Sequence, residues 1–226
     1  MNKKEKKKLK KKYNISMGKK YKIPLIIIFI LLVVSISLLV IKYCFYNNTK
    51  NEPTVYSSIL DNMESYGYTL DDQDSKLFKD KYYDLKKILE SDEIDYDAYG
   101  KCLSELFIID LYTLSTKINK FDVGGVEYVY DNEKEMFKNK VMDTLYETLE
   151  DNSYGTRKQE LPTVKELVLE KEDEVTYQID NKKLKGTKYT YNVEYEKDLG
   201  YSKKSEITVV KDDNKMYIVE FTSQEK

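Results

Sequence analysis

Apolar positions along this chain come in three spacings, and each spacing predicts a different kind of element. Residues 23–41 (IPLIIIFILLVVSISLLVI) form an unbroken run without a charge, interrupted only by Pro24, Ser35 and Ser37. At about 1.5 Å per residue that run makes a helix of roughly 28 Å, close to a hydrocarbon core of ~30 Å. Residues 47–57 (NNTKNEPTVYS) are polar and read as a linker. A helical period follows, with Phe78, Tyr82, Leu85 and Leu89 on one stripe behind Asp71, Asp72 and Asp74, which a helix N-terminus favours. Tyr99, Leu103, Leu106, Asp110 and Leu114 share the next stripe, widened by Cys102, Phe107, Ile109, Leu111 and Ile118. This is the most apolar stretch after the first run, so it predicts a central core helix beginning after Asp95.

Gly124-Gly125 then permits a turn that other residues resist, and residues 126–130 alternate weakly enough to be extended. Asn132 and Glu135 have capping-box spacing ahead of a third stripe of Phe137, Val141, Leu145 and Leu149. After a loop at 151–160 the period changes to two. Residues 164–170 predict one strand, and Val175, Tyr177 and Ile179 the next. Tyr189, Tyr191, Val193 and Tyr195 share one face of another, Ile207 and Val209 mark a fourth, and Tyr217, Val219 and Phe221 a fifth. Helices first and strands afterwards predict an α+β fold. It consists of an N-terminal transmembrane helix, then about three helices on a curved antiparallel sheet of four to five strands.

Charge gives the apolar run a direction. Residues 1–22 hold eleven lysines against Glu5 alone, a charge of +10, while the rest of the chain carries −12. The whole-chain value of −2 hides this asymmetry. The run is longer than a removable leader needs, and it leads into Lys42-Tyr43-Cys44-Phe45-Tyr46 rather than small residues, so an uncleaved signal-anchor is expected. The expected layout is a cytoplasmic lysine-rich tail (1–22), a transmembrane helix (23–41), a juxtamembrane linker (42–63) and an extracytoplasmic domain (64–226). The location is the cell membrane, single-pass, with the N-terminus cytoplasmic and the C-terminal domain extracellular. The lysines are a topology signal that also touches anionic lipid. No aromatic interleaving accompanies them, so no nucleic-acid partner is expected. Lysine-rich, tyrosine-rich composition with one arginine is what AT-rich coding gives, and it suggests a low-GC Gram-positive bacterium.

The chemistry the chain excludes is as informative as what it offers. With no histidine, histidine-based triads, Cys–His pairs and His-bearing zinc sites are impossible. Ser-x-x-Lys spacing occurs only at Ser16/Lys19 and Ser223/Lys226, near the chain ends. A calcium loop starting at Asp95 has Asp97 and Gly100 in register, but Tyr99 and Leu106 stand where ligands are needed. No metal site, no cofactor and no catalytic residues are expected, and the chain is expected not to be an enzyme. Two cysteines make no disulfide framework, and Cys102 is expected to be a small buried hydrophobe. The remaining ligand candidates are Asp110 with Tyr112 beside the glycine turn, and Tyr189 with Tyr191 on one strand face. Each has a structural alternative, as a capping acid and as strand-forming tyrosines.

The order of elements over roughly residues 70–222 resembles the nuclear transport factor 2-like (NTF2-like) domain, in which a curved sheet wraps the helices into a cone. A short basic tail, one helix and such a domain together resemble the VirB8-like components of conjugative and type IV secretion machines. Tyr66-Gly67-Tyr68-Thr69-Leu70, residues 107–114 and Asp122-Val123-Gly124-Gly125 also resemble recurring blocks of membrane-anchored Gram-positive proteins that bring no activity with them. The resemblance implies a scaffold-like role in contact with an envelope protein partner, with homo-oligomerisation left open. The alternatives are a pocket domain that binds or turns over a small ligand, and a membrane signal transducer.

Overall fold

A computed structural model of the chain describes residues 19–48, 55–179 and 181–223. The lysine run at 3–12 and the Cys44 side chain lie outside the described residues. The chain divides into two units, residues 1–52 and 53–226. In the first, helix α1 (Lys19–Asn48) is apolar on every side over residues 23–41. Its stretch Ile23–Lys42 has a mean hydropathy of 3.2 and no buried residue, and is long and apolar enough to cross a membrane. Ser35 and Ser37 donate to the carbonyls of Leu32 (2.9 Å) and Val33 (2.8 Å). Both hydroxyls thereby satisfy themselves within the helix.

The second unit starts with a hairpin that periodicity did not predict. Strand β1 (Ile59–Met63) pairs with β2 (Tyr68–Asp71), and Gly67 turns between them at a φ of 69°. Two strands of five and four residues are too short to show a period. The stretch 42–63 thus contributes its start to α1 and its end to β1.

Helix α2 (Lys76–Leu89) is capped by Ser75, whose hydroxyl accepts from Phe78 N, and it buries Phe78, Tyr82 and Leu85. Helix α3 (Tyr96–Tyr112) is capped by Asp95, which accepts from the backbone of Asp97 and Ala98. Twelve of its 17 residues are buried, so it is the central core helix. Gly100 lets α3 approach the sheet: a Cβ there would come within 2.9 Å of the Met216 methyl.

The third helical stripe is shorter than its pattern suggested. Helix α4 (Lys134–Met142) follows Glu133 without a side-chain cap, so the Asn132/Glu135 capping box does not form. Residues 126–128 form a 3-10 turn instead of an extended segment.

Four strands close the fold as an antiparallel meander: β3 (Val164–Ile179), β4 (Lys182–Tyr195), β5 (Lys204–Asp212) and β6 (Lys215–Ser223), in that spatial order. The two strands expected at 164–170 and 175–179 are one strand of 16 residues. The charged stretch EKEDE resembled a connection, but an edge strand exposed on both sides tolerates charge. β6 is the opposite edge. Val129 forms a parallel bridge to Ile218, and Tyr130 N donates to Ile218 O at 3.0 Å. Beyond Tyr130 the chain leaves this edge for α4.

Candidate functional site

The four residues singled out in the sequence end in three different settings. Tyr189 and Tyr191 lie in the core between the sheet and α3, 1% and 0% exposed. The Tyr191 hydroxyl is 2.8 Å from that of Ser104 on α3. Burial pushes the Tyr189 phenol up to about 12 and that of Tyr191 higher still. Neither offers a face to a ligand.

Asp110 is spent on structure. One carboxylate oxygen accepts from the ammonium of Lys117, and the other from Gly125 N at 2.6 Å. The glycine pair makes this contact reachable. A Cβ on Gly124 would stand 2.3 Å from the Asp110 carbonyl oxygen, and Gly125 holds a φ of 78°. Burial opposes the charge on Lys117, but the Asp110 carboxylate outweighs it and holds the ammonium above its ordinary range. Tyr146 completes the knot by donating to Leu111 O at 2.8 Å. The lone arginine, Arg157, donates to the carbonyls of Lys117 (2.8 Å), Ser115 (3.0 Å) and Glu150 (3.2 Å). Lys117 and Arg157 carried no spacing signal, because Lys117 reaches Asp110 from beyond the end of α3 and Arg157 acts on backbone carbonyls up to 42 residues away.

Two further carboxyls flank this knot. Glu127 accepts from Thr69 N (3.1 Å) and Thr69 Oγ1 (3.0 Å), and burial pushes it up to about 7. Asp74 accepts from Asp71 N at 2.7 Å and is likewise pushed by burial to about 6. They hold β2 and the start of α2, and among the described residues no three potential ligands converge on a metal-sized site. Burial raises the Cys102 thiol to about 12, which leaves it protonated and a weak nucleophile.

Tyr112 differs from all of these. It is 1% exposed, with its ring edge-on to Phe221 (6.0 Å) and Tyr195 (6.4 Å). Its hydroxyl stands beside those of Ser205 and Ser223, which temper the rise that burial gives its phenol, although neither Tyr112 Oη nor Ser205 Oγ makes a hydrogen bond of good geometry.

Tyr112 lines a groove of about 790 Å³ between α4 and β6. Val129, Met136, Phe137, Val141 and Leu145 form one wall, with Lys140 and Thr144 at intervals. The other wall is residues 218–223, six in succession. A strand alternates its side chains, so a cavity over its face would be lined by every second residue. Six in a row mean that the groove looks onto the strand's edge. No spacing signal pointed here, since Phe137, Val141 and Leu145 have the stripe of an ordinary core helix. Comparison with family models, with curated proteins and with solved structures finds no match for this chain.

Proposed function

We propose that this chain is a single-pass cell-envelope protein whose extracytoplasmic domain makes protein–protein contacts without catalysis, using the groove between α4 and β6. The observation that carries this reading is the groove itself: largely apolar, and walled on one side by six successive residues of β6. The apolar helix α1 and the +10 tail support a cytoplasmic N-terminus and an extracellular C-terminal domain. The order of helices before sheet keeps the NTF2-like, VirB8-like scaffold as the architecture we favour. The pairing of Asp110 and the burial of Cys102 support a non-catalytic role.

Two photo-crosslinking positions in intact cells test this proposal. A photoreactive residue at Met136 in the groove should trap an envelope partner, whereas one at Lys171 on the β3 edge should not. Equal trapping from both positions, or none from Met136 while the protein is abundant, would remove the groove as the contact site. Protease added outside wall-stripped cells should digest the domain; full protection would overturn the topology.

A further inference from the structure

Resting on that reading, we infer that the groove's occupant is an extended peptide segment of a partner protein, added to the sheet as a strand on the outer edge of β6. The fold already does this once with its own chain. Residues 129–130 lie parallel against Ile218, with Tyr130 N donating to Ile218 O, and then turn away. Among the described residues no further backbone–backbone bond reaches the outer edge of β6 between residues 219 and 223. Val219 is a bulge whose carbonyl accepts from Tyr177 Oη at 3.3 Å, and beyond it residues 220–223 leave about 13 Å of open edge, enough for a short strand.

The opposite wall supplies the second half of strand recognition, pockets for side chains. Met136, Phe137, Val141 and Leu145 face the edge and suit apolar residues at alternate peptide positions.

The sheet's other edge shows why β6 is the receiving one. β3 carries Lys165, Glu166, Glu170, Lys171, Glu172, Asp173 and Glu174, and dense charge of this kind blocks edge pairing. Residues 219–223 carry one charge, Glu220, which accepts from Thr208 Oγ1 at 3.0 Å. Glu133 and Lys140 sit near the groove with opposite signs, so selection rests on backbone bonds and apolar pockets rather than on net charge.

The test uses the full chain in detergent micelles and a displayed library of random peptides of about ten residues. An enriched peptide is then synthesised in two forms, each N-methylated on one alternate set of residues. Strand addition uses the outward amides of one set only. One form should therefore bind about tenfold more weakly or worse, and the other close to normally. Met136→Glu should weaken binding comparably; Met136 is 67% exposed, so the variant folds. Equal binding by the two methylated forms would overturn strand addition while leaving the groove as a binding site. Enrichment indifferent to Met136→Glu would overturn both. A dimer of the protein that Met136→Glu dissociates would make a second copy the occupant and overturn the peptide.

Discussion

Asp110 and Tyr112 stand two residues apart on α3, and the domain treats them in opposite ways. Residues i and i+2 of a helix point to different sides, so Asp110 meets the Gly124-Gly125 loop while Tyr112 meets β6 and the groove. Around Asp110 the charged groups are matched: Lys117, Gly125 N, Tyr146 and Arg157 all reach partners, although Tyr128 Oη nearby makes no hydrogen bond of good geometry. Around Tyr112 the neighbours are the neutral hydroxyls of Ser205 and Ser223, and no hydrogen bond of good geometry forms at Tyr112 Oη or Ser205 Oγ. A buried cluster built on charge-assisted bonds holds loops in place, whereas poorly aligned neutral hydroxyls contribute little to holding theirs. The comparison separates architecture from binding capacity within a single turn of helix.

The largest expected effect comes from breaking the satisfied side. Lys117→Met leaves the Asp110 carboxylate half-buried without its cation, and we expect a loss of about 3–5 kcal/mol in chemical denaturation of the full chain. A loss below about 1 kcal/mol would show that the ion pair does not hold the loop. Gly124→Ala should also destabilise strongly, because the added methyl has backbone rather than a flexible side chain in its way.

A matched pair of hydroxyl deletions sharpens the contrast. Tyr146→Phe strips the Leu111 carbonyl of its donor and should cost about 1–3 kcal/mol. Tyr112→Phe removes a hydroxyl that makes no hydrogen bond of good geometry and should change stability by less than about 1 kcal/mol. Equal losses at both positions would mean that Tyr112 is as well satisfied as Tyr146.

The flanking carboxyls add a pH dependence of a definite sign. Glu127 in the folded domain titrates at about 7, above its ordinary 4.5, so between those values the folded state binds more protons than the unfolded state. Stability should therefore fall as pH rises through that window. Asp74, raised to about 6, acts in the same direction. Thermal melts should lose several degrees between about pH 5 and pH 8, and Glu127→Gln should flatten the slope. A melting temperature that rises over this range would contradict the burial of these two groups.

The smallest effect on stability belongs to the groove. Met136→Glu should change it by no more than about 0.5 kcal/mol, because nothing buried is disturbed. A large loss there would show that Met136 is core rather than groove wall.

Local periodicity set out much of this before any contact was known. The uncharged run gave α1, the stripe around Leu103 gave the central helix, and the period-two stretches gave β4, β5 and β6, because each pattern reports only whether a face is apolar. It failed where the deciding partner is distant in sequence. The hairpin at residues 59–71 was too short to show a period, and the charged middle of β3 read as a break because its exposure on both sides is a tertiary fact. Asp110 and Tyr112 were both visible as polar or amphipathic residues on an apolar helix. That one would be neutralised by Lys117 and the other left without a well-aligned bond at a groove depended on which loop and which strand edge arrived beside them. Side-chain type and spacing are local properties of this chain, whereas hydrogen-bond satisfaction is settled only when residues 110, 117, 125 and 146, or 112, 205 and 223, are brought together by the fold.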